Sequence, residues 1–356
     1  MGRERWGALF FAWILLVGAL GFAGEKPTAS QLQAFAELRR KVEANIGVDL
    51  DAMATITGIT ADPDLQKIRD TLKISLDSLE LQFQDGKINP FIGNFISEGQ
   101  RRFVKVSASG QEHSRPLRIG YFPVAADPFH WAHLFTALEA MAQLGLDKVV
   151  FIVAGSDPRK PDLTPAELRH PLAKQMLENF SEFFAYSDIT LQENANNPET
   201  PGVLSSNGAN DGESNIFHDL ARNSHLAIRA FYLVGSDHFN WTVEKKGKIQ
   251  DDTVKKIEEN MKKINLGFAA ASGKHQLVAA FIARNKAEIT DEKIAELRSK
   301  ITYDLQVMVP TLSYSSTQIR NYFQGKSLDD KRPLIYLPTG SYNFILKHGL
   351  YAAKAQ

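Results

Sequence analysis

The spacing of apolar positions changes character near residue 117. Upstream, Leu32, Phe35, Leu38 and Val42 recur at steps of three and four, as on one face of a helix. Asp62-Pro63 reads as a helix start, since proline is tolerated in the first turn. Behind it Leu65, Ile68, Leu72, Leu76, Leu79 and Phe83 form a second apolar stripe, which Asp85-Gly86 ends. The pattern predicts a mostly helical region from Ala29 to about Gly110. No residue in it suggests chemistry, so its expected work is packing, onto the rest of the chain or onto a partner. Ser107 to Pro116 is polar and reads as a linker.

Downstream the period shortens. Leu117 to Phe122 is strand-like, and His133 to Leu144 is helix-like and stops at Gly145, a good C-cap. Lys148 to Ala154 is an apolar run of the kind found in a strand buried on both faces. Ala227–Val234, Leu277–Ile282 and Leu305–Val309 are further strands, with helical stretches such as Pro165–Phe184 and Val254–Lys263 between them. Strands alternating with helices predict an α/β fold on a parallel sheet. Gln192–Asn215, rich in Asn, Gly, Ser and Pro, reads as a long surface loop or insertion. The expected organisation is residues 1–24 as a leader, 25–116 as a helical region with its linker, and 117–356 as the main domain.

Composition narrows the function classes. Forty-one basic residues balance forty-one acidic ones across 356 residues, so there is no long-range pull toward nucleic acid or an anionic membrane. The chain has no cysteine, which excludes disulfides, thiolate metal sites and a cysteine nucleophile. Arg3 and Arg5 precede an uncharged apolar run from Trp6 to Ala23, closed by small residues and Glu25-Lys26-Pro27. This reads as a secretory signal cut near Ala23 or Gly24. The rival is an uncleaved membrane anchor with the remainder outside, and the plainest alternative is a buried N-terminal helix. The first two readings both export the protein, to the periplasm or the extracellular space or to the outer side of a membrane.

Three segments carry candidate chemistry. After the first strand comes Asp127-Pro128-Phe129-His130-Trp131-Ala132-His133, two histidines flanking a helix start. The carboxyl end of a parallel strand lines a ligand crevice, and a helix N-terminus there attracts anions. The same pair could be a metal half-site, although no third ligand is evident, or two capping histidines. The second segment is Ser315-Ser316-Thr317-Gln318-Ile319-Arg320. One hydroxyl there is routine capping, but three hydroxyls and a guanidinium offer one anion more donors than capping needs. The third, Gly235-Ser236-Asp237, is a strand exit ending in an acid, where a ribose or base would rest.

In this order the segments resemble the nucleotidyltransferases of the HxGH type, and among them the nicotinate or nicotinamide mononucleotide adenylyltransferases. His130-Trp131-Ala132-His133 answers to the HxGH signature. Gly235-Ser236-Asp237, with Trp241 behind it, resembles the G-x-D segment, and Ser315 to Arg320 matches the SSTxIR segment closely. Leu337-Pro338, Tyr342, Ile345 and His348-Gly349-Leu350-Tyr351 continue the likeness, which spans about Leu117 to Tyr351. One segment departs from it. The family usually has two glycines and Ser/Thr-Phe before the Asp/Asn-Pro, where this chain reads Pro123-Val124-Ala125-Ala126.

The resemblance implies a Rossmann-like parallel-sheet nucleotidyltransferase domain preceded by the helical N-terminal region. It implies transfer of AMP from ATP, carried with Mg²⁺, to a pyridine mononucleotide, with no metal held by the protein itself. His130 and His133 would be catalytic. Asp127, Gly235, Asp237, Ser315, Ser316, Thr317 and Arg320 would bind nucleotide or phosphate, and Trp241, Lys160 and Arg169 would face the acceptor. Small-molecule nucleotides are the implied partners, with membrane association confined to residues 6–23. The altered loop and the leader keep two alternatives open: another phosphorylated acceptor, or a catalytically silent exported nucleotide-binding protein.

Overall fold

The computed structural model describes residues 25–97, 100–104, 115–155, 162–191, 216, 219–220, 222–235, 261–262, 275–283, 289–312 and 314–352. Thr28 opens α1 (Ala29–Thr57) with a capping box, its side chain accepting from the Gln31 N–H while the Gln31 side chain accepts in return. Gly58, at φ 74°, closes the helix in the left-handed conformation that glycine takes without a Cβ penalty. Helix α2 (Pro63–Gln84) starts where the sequence predicts, with Asp62 as N-cap and Pro63 in the first turn. The two apolar stripes are buried, and Arg39 ties the hairpin on its polar side through Asp77 and Glu80, at 2.5 and 2.6 Å.

Helix does not continue to Gly110. Gly93–Ser97 (β1) and Gln100–Val104 (β2) pair antiparallel instead. The reason is tertiary. Phe103 is buried among residues of the main sheet, and its N–H donates at 2.6 Å to Asn223 Oδ1, 120 positions away. A local period cannot register such a contact.

The main sheet holds β3 (Leu117–Val124), β4 (Lys148–Val153), β5 (Phe184–Ser187), β6 (Ile228–Gly235), β7 (Gln276–Ile282) and β8 (Asp304–Met308). Their order is β5-β4-β3-β6-β7-β8, and every pairing is parallel. From β3 the chain winds outward to β5, then returns to β6 and winds the other way. That reversal is the topological switch point of a doubly wound, Rossmann-like sheet, and it lies between β3 and β6. Strand β5 corrects the expected Pro165–Phe184 helix, because α4 (Ala166–Glu178) stops earlier. Phe180, Phe183 and Phe184 all bury against the sheet, and that packing turns the chain into an edge strand where the sequence reads as a continued helix.

Alternate residues of the strands feed two cores. Phe122, Phe151, Phe231 and Leu233 pack with α1, α2 and α3 (Trp131–Leu144). Ile119, Tyr121, Val150 and Tyr232 pack on the other side with Leu220, Met261 and Leu297, the last on α5 (Asp291–Lys300). The N-terminal helices therefore share the core of the sheet. Each fully buried Leu or Phe in it contributes about 1.5–3 kcal/mol. Asp147, with no exposed surface, fastens this junction. Its carboxylate accepts from Arg115 Nη1 and Nη2 at 2.7 and 2.6 Å and from the backbone N–H groups of Asn89 and Arg118 at 2.7 and 2.9 Å. Among the described residues no helix is long and apolar enough to cross a membrane, and the Trp6–Ala23 run lies outside them.

Candidate active site

The crevice opens because β3 and β6 part company. Their ladder runs from Leu117–Ile228 to Tyr121–Tyr232, while β3 stays paired with β4 through Val124. Leu117 donates its N–H toward the β6 side, to Ala227, so the odd-numbered residues of β3 face β6. Pro123 is the next odd residue after Tyr121, and it has no N–H to extend that ladder. The departure from the family loop thus sits at the switch point and ends the pairing there. Gly235 closes β6 on the far side of the gap, still paired with Ile282 of β7.

Beyond Val124 the backbone turns sharply. Ala126 takes φ 55°, and the Asp127–Pro128 bond is cis. A non-glycine residue in the left-handed region costs about 1–2 kcal/mol. Such positions survive where surrounding contacts hold them, and they cluster at functional sites. The loop delivers His130 as the N-cap of α3, in extended conformation. The His130 and His133 rings lie 3.9 Å apart between centroids, with Phe129 stacked on His133 at 5.1 Å.

The two imidazoles differ in role. His133 Nδ1 accepts from the His130 backbone N–H at 3.3 Å, which leaves the proton of the neutral ring on Nε2. Burial holds its pKa down to about 4, so the ring is neutral at pH 7. His130 is 1% exposed, and neither of its ring nitrogens has a hydrogen-bond partner among the described residues. Burial first, then the neighbouring His133 and Arg320, push its pKa well below the ordinary value. A buried imidazole with two idle polar atoms is costly, and a ligand that pairs with them recovers the cost.

Helix α6 (Ser316–Phe323) meets this loop. Ser315 is its N-cap, and Ser315 Oγ accepts from the Gln318 N–H at 3.4 Å in a capping box, so the routine reading of that hydroxyl is realised. Ser316 Oγ donates to the Pro128 carbonyl at 3.2 Å. Arg320 Nη2 donates to Thr317 Oγ1 at 3.0 Å, while Nη1 donates to the Asp127 carbonyl and lies 3.7 Å from Asp127 Oδ2. The Arg320 side chain keeps 29% of its surface exposed, so part of its donor edge stays open. The structure therefore brings Asp127, His130, His133, Ser316, Thr317 and Arg320 to one place, between the N-termini of α3 and α6. Partial positive charge collects at such ends.

Arg169, expected to face an acceptor, is 1% exposed and hydrogen-bonded to backbone through all three of its nitrogens. It donates to the carbonyls of Thr164 and Gly155 at 2.6 Å each, and to that of Ala125. It thus clamps the loops after β3 and β4 together. Asp237, Trp241 and Lys160 lie outside the described residues, as does most of the Val254–Lys263 helix. Two contributors escape sequence reasoning as site residues. Phe129 sits inside the motif but reads as core, and Tyr351 sits 31 positions beyond Arg320 with no local periodicity to mark it. Among the described residues no cluster of three His, Asp or Glu side chains is placed to hold a metal ion.

A doubly wound α/β sheet with a crevice at its switch point, flanked by two helix N-termini, has its ligand position where open α/β sheets bind theirs. The chain belongs to the cytidylyltransferase-like family of nucleotidyltransferases, whose model matches residues 121–322. It is 26% identical over 239 residues to a probable nicotinate-nucleotide adenylyltransferase of Thermoanaerobacter sp. (strain X514), covering 67% of this chain and 95% of that protein. A namesake from Clostridium botulinum (strain Alaska E43 / Type E3) is 37% identical over 93 residues, and there the match spans 46% of the relative and 22% of this chain. Among solved structures the chain resembles the Plasmodium falciparum nicotinic acid mononucleotide adenylyltransferase complexed with NaAD. That match has 15% identity and a TM-score of 0.44, and covers 66% of this chain and 97% of the other.

Proposed function

We propose that the protein transfers AMP from ATP to nicotinate mononucleotide or its amide. A phosphate oxygen of the mononucleotide forms a bond to the α-phosphorus of ATP, the bond to the β-phosphate oxygen breaks, and pyrophosphate leaves with Mg²⁺. The observation that carries this reading is His130, buried beside His133 and Arg320 with neither ring nitrogen hydrogen-bonded among the described residues. Such chemistry is accelerated by placing donors where charge gathers, and needs no covalent intermediate. His130 and His133 would donate to the phosphates at the reacting centre, and Ser316, Thr317 and Arg320 would hold the departing pyrophosphate. The ATP-bound Mg²⁺ would keep most of its waters. Gly235 and Asp237 would lie along the adenosine, and Trp241 and Lys160 toward the acceptor. The names of the relatives support the pyridine acceptor.

The test mixes the full chain with ATP, Mg²⁺ and each mononucleotide in turn, and follows dinucleotide and pyrophosphate directly. Dinucleotide formed at enzymatic rates supports the proposal; none formed with either mononucleotide defeats it. A second acceptor class, a phosphorylated sugar, alcohol or pantetheine, is favoured by one observation. Pro123 and Val124 stand where glycines would let a ligand approach the backbone. We also hold the Trp6–Ala23 run to be an export signal, tested by sequencing the mature N-terminus; an intact Met1 in the purified protein would refute cleavage.

A further inference from the structure

We propose that Tyr351, at the far end of the chain, is a positioning residue for the anion-binding arginine, acting through Asp127. The inference rests on the proposed nucleotide chemistry, and it gives a task to a residue that the sequence reading left without one.

The last helix, α7 (Thr339–His348), ends at Gly349 in the left-handed conformation. Two residues later Tyr351 also takes positive φ, 63°, a region that side-chain-bearing residues rarely adopt. Strained backbone persists only where contacts hold it. Here they are specific. The Tyr351 hydroxyl donates to Asp127 Oδ1 at 2.8 Å. The Tyr351 ring lies 6.4 Å from that of Phe323 on α6, one turn beyond Arg320. Tyr351 therefore touches both elements that face the anion, the loop after β3 and the helix that carries Arg320.

Asp127 is the intermediary. It is 3% exposed, and its two oxygens are divided, Oδ1 to Tyr351 and Oδ2 toward Arg320 at 3.7 Å. A looser contact of that length leaves the guanidinium free to serve a ligand while the carboxylate limits where it swings. A carboxylate released by Tyr351 can rotate and close on Arg320. The arginine would then be neutralised by its own chain in place of a phosphate. Burial raises the Tyr351 pKa, which keeps the phenol protonated and donating.

The experiment measures binding of ATP and of inorganic pyrophosphate by calorimetry, and kcat and KM for transfer, in the full chain. The variants are Tyr351→Phe, Asp127→Asn and the pair together. Tyr351→Phe keeps the ring and its packing, so its melting temperature should move little. Pyrophosphate and ATP affinity should fall at least fivefold, and KM for ATP should rise more than kcat falls. Asp127→Asn cannot neutralise Arg320, so adding Tyr351→Phe to it should cost less than twofold further. Equal affinities in the wild type and Tyr351→Phe would overturn the proposal. So would a Tyr351→Phe loss of the same size in both backgrounds, since the tyrosine would then act without Asp127. If Tyr351→Phe fails to fold, Tyr351→His, which keeps an aromatic ring but shortens the reach of its donor to Asp127, takes its place: a fivefold or greater loss of pyrophosphate affinity supports the proposal, and an affinity within twofold of the wild type overturns it. Pyrophosphate binding that weakens as predicted, with no dinucleotide from either mononucleotide, would uphold Tyr351 and remove the acceptor reading. A wild type that binds neither ATP nor pyrophosphate would end both.

Discussion

Replacing His130 by leucine should make the ligand-free protein more stable while abolishing its chemistry. The wild-type ring is 1% exposed with both nitrogens unpartnered among the described residues. A buried polar atom without a partner costs about 1–3 kcal/mol. Leucine removes both atoms, and a shape mismatch in a packed core returns up to about 1.5 kcal/mol. For the two atoms together the cost is about 2–6 kcal/mol, so the expected net gain is at least about 0.5 kcal/mol. The gain should grow in acid. The folded-state pKa of His130 is depressed, mainly by burial, so below about pH 6.5 the unfolded chain takes up a proton that the folded chain refuses. Wild-type stability then falls by up to about 1.4 kcal/mol per pH unit for this group, and the leucine variant is spared that loss. Denaturant unfolding at pH 7.5, 6 and 5 measures the difference, with pyrophosphate binding and transfer assayed alongside. A leucine variant that is less stable than the wild type at pH 7.5, or one whose advantage does not widen toward pH 5, would refute the reasoning. Either result would mean that the imidazole is satisfied in the folded protein.

The other expectations concern separate parts of the molecule. His133→Ala should lower the transfer rate at least about 10²-fold, the usual loss on removing one donor to a transition state; a rate within tenfold of the wild type would remove His133 from the chemistry. Arg320→Ala should weaken ATP binding as well as slow transfer, and an unchanged Kd for ATP by calorimetry would count against its phosphate role. Asp147→Asn breaks a fully buried pair with Arg115 and should destabilise the fold by about 3–5 kcal/mol, read from the denaturation midpoint; a loss under about 1 kcal/mol would show that the junction is held elsewhere.

The sequence by itself determined whatever is local. Stripes spaced by three and four marked α1 and α2, because a helix repeats its faces on that period. Apolar runs marked β3, β4, β6 and β7, because a doubly covered parallel strand is buried on both sides. Thr28 and Gly58 set the ends of α1, and Asp62 and Pro63 set the start of α2. The motif residues His130, His133 and Arg320 were legible because the resemblance rests on runs of adjacent residues. Tertiary structure decided what depends on distant partners. The β1–β2 hairpin and β5 exist because of packing on a sheet assembled from far-off segments. Arg169 reads as a cation facing a ligand, yet folding surrounds it with three carbonyls. The proximity of Asp127 to Arg320 and Tyr351, 193 and 224 positions apart, comes from the order in which the strands are laid down. Spacing along the chain records which residues share a face of one element; which faces meet is set by burying all the apolar surface at once.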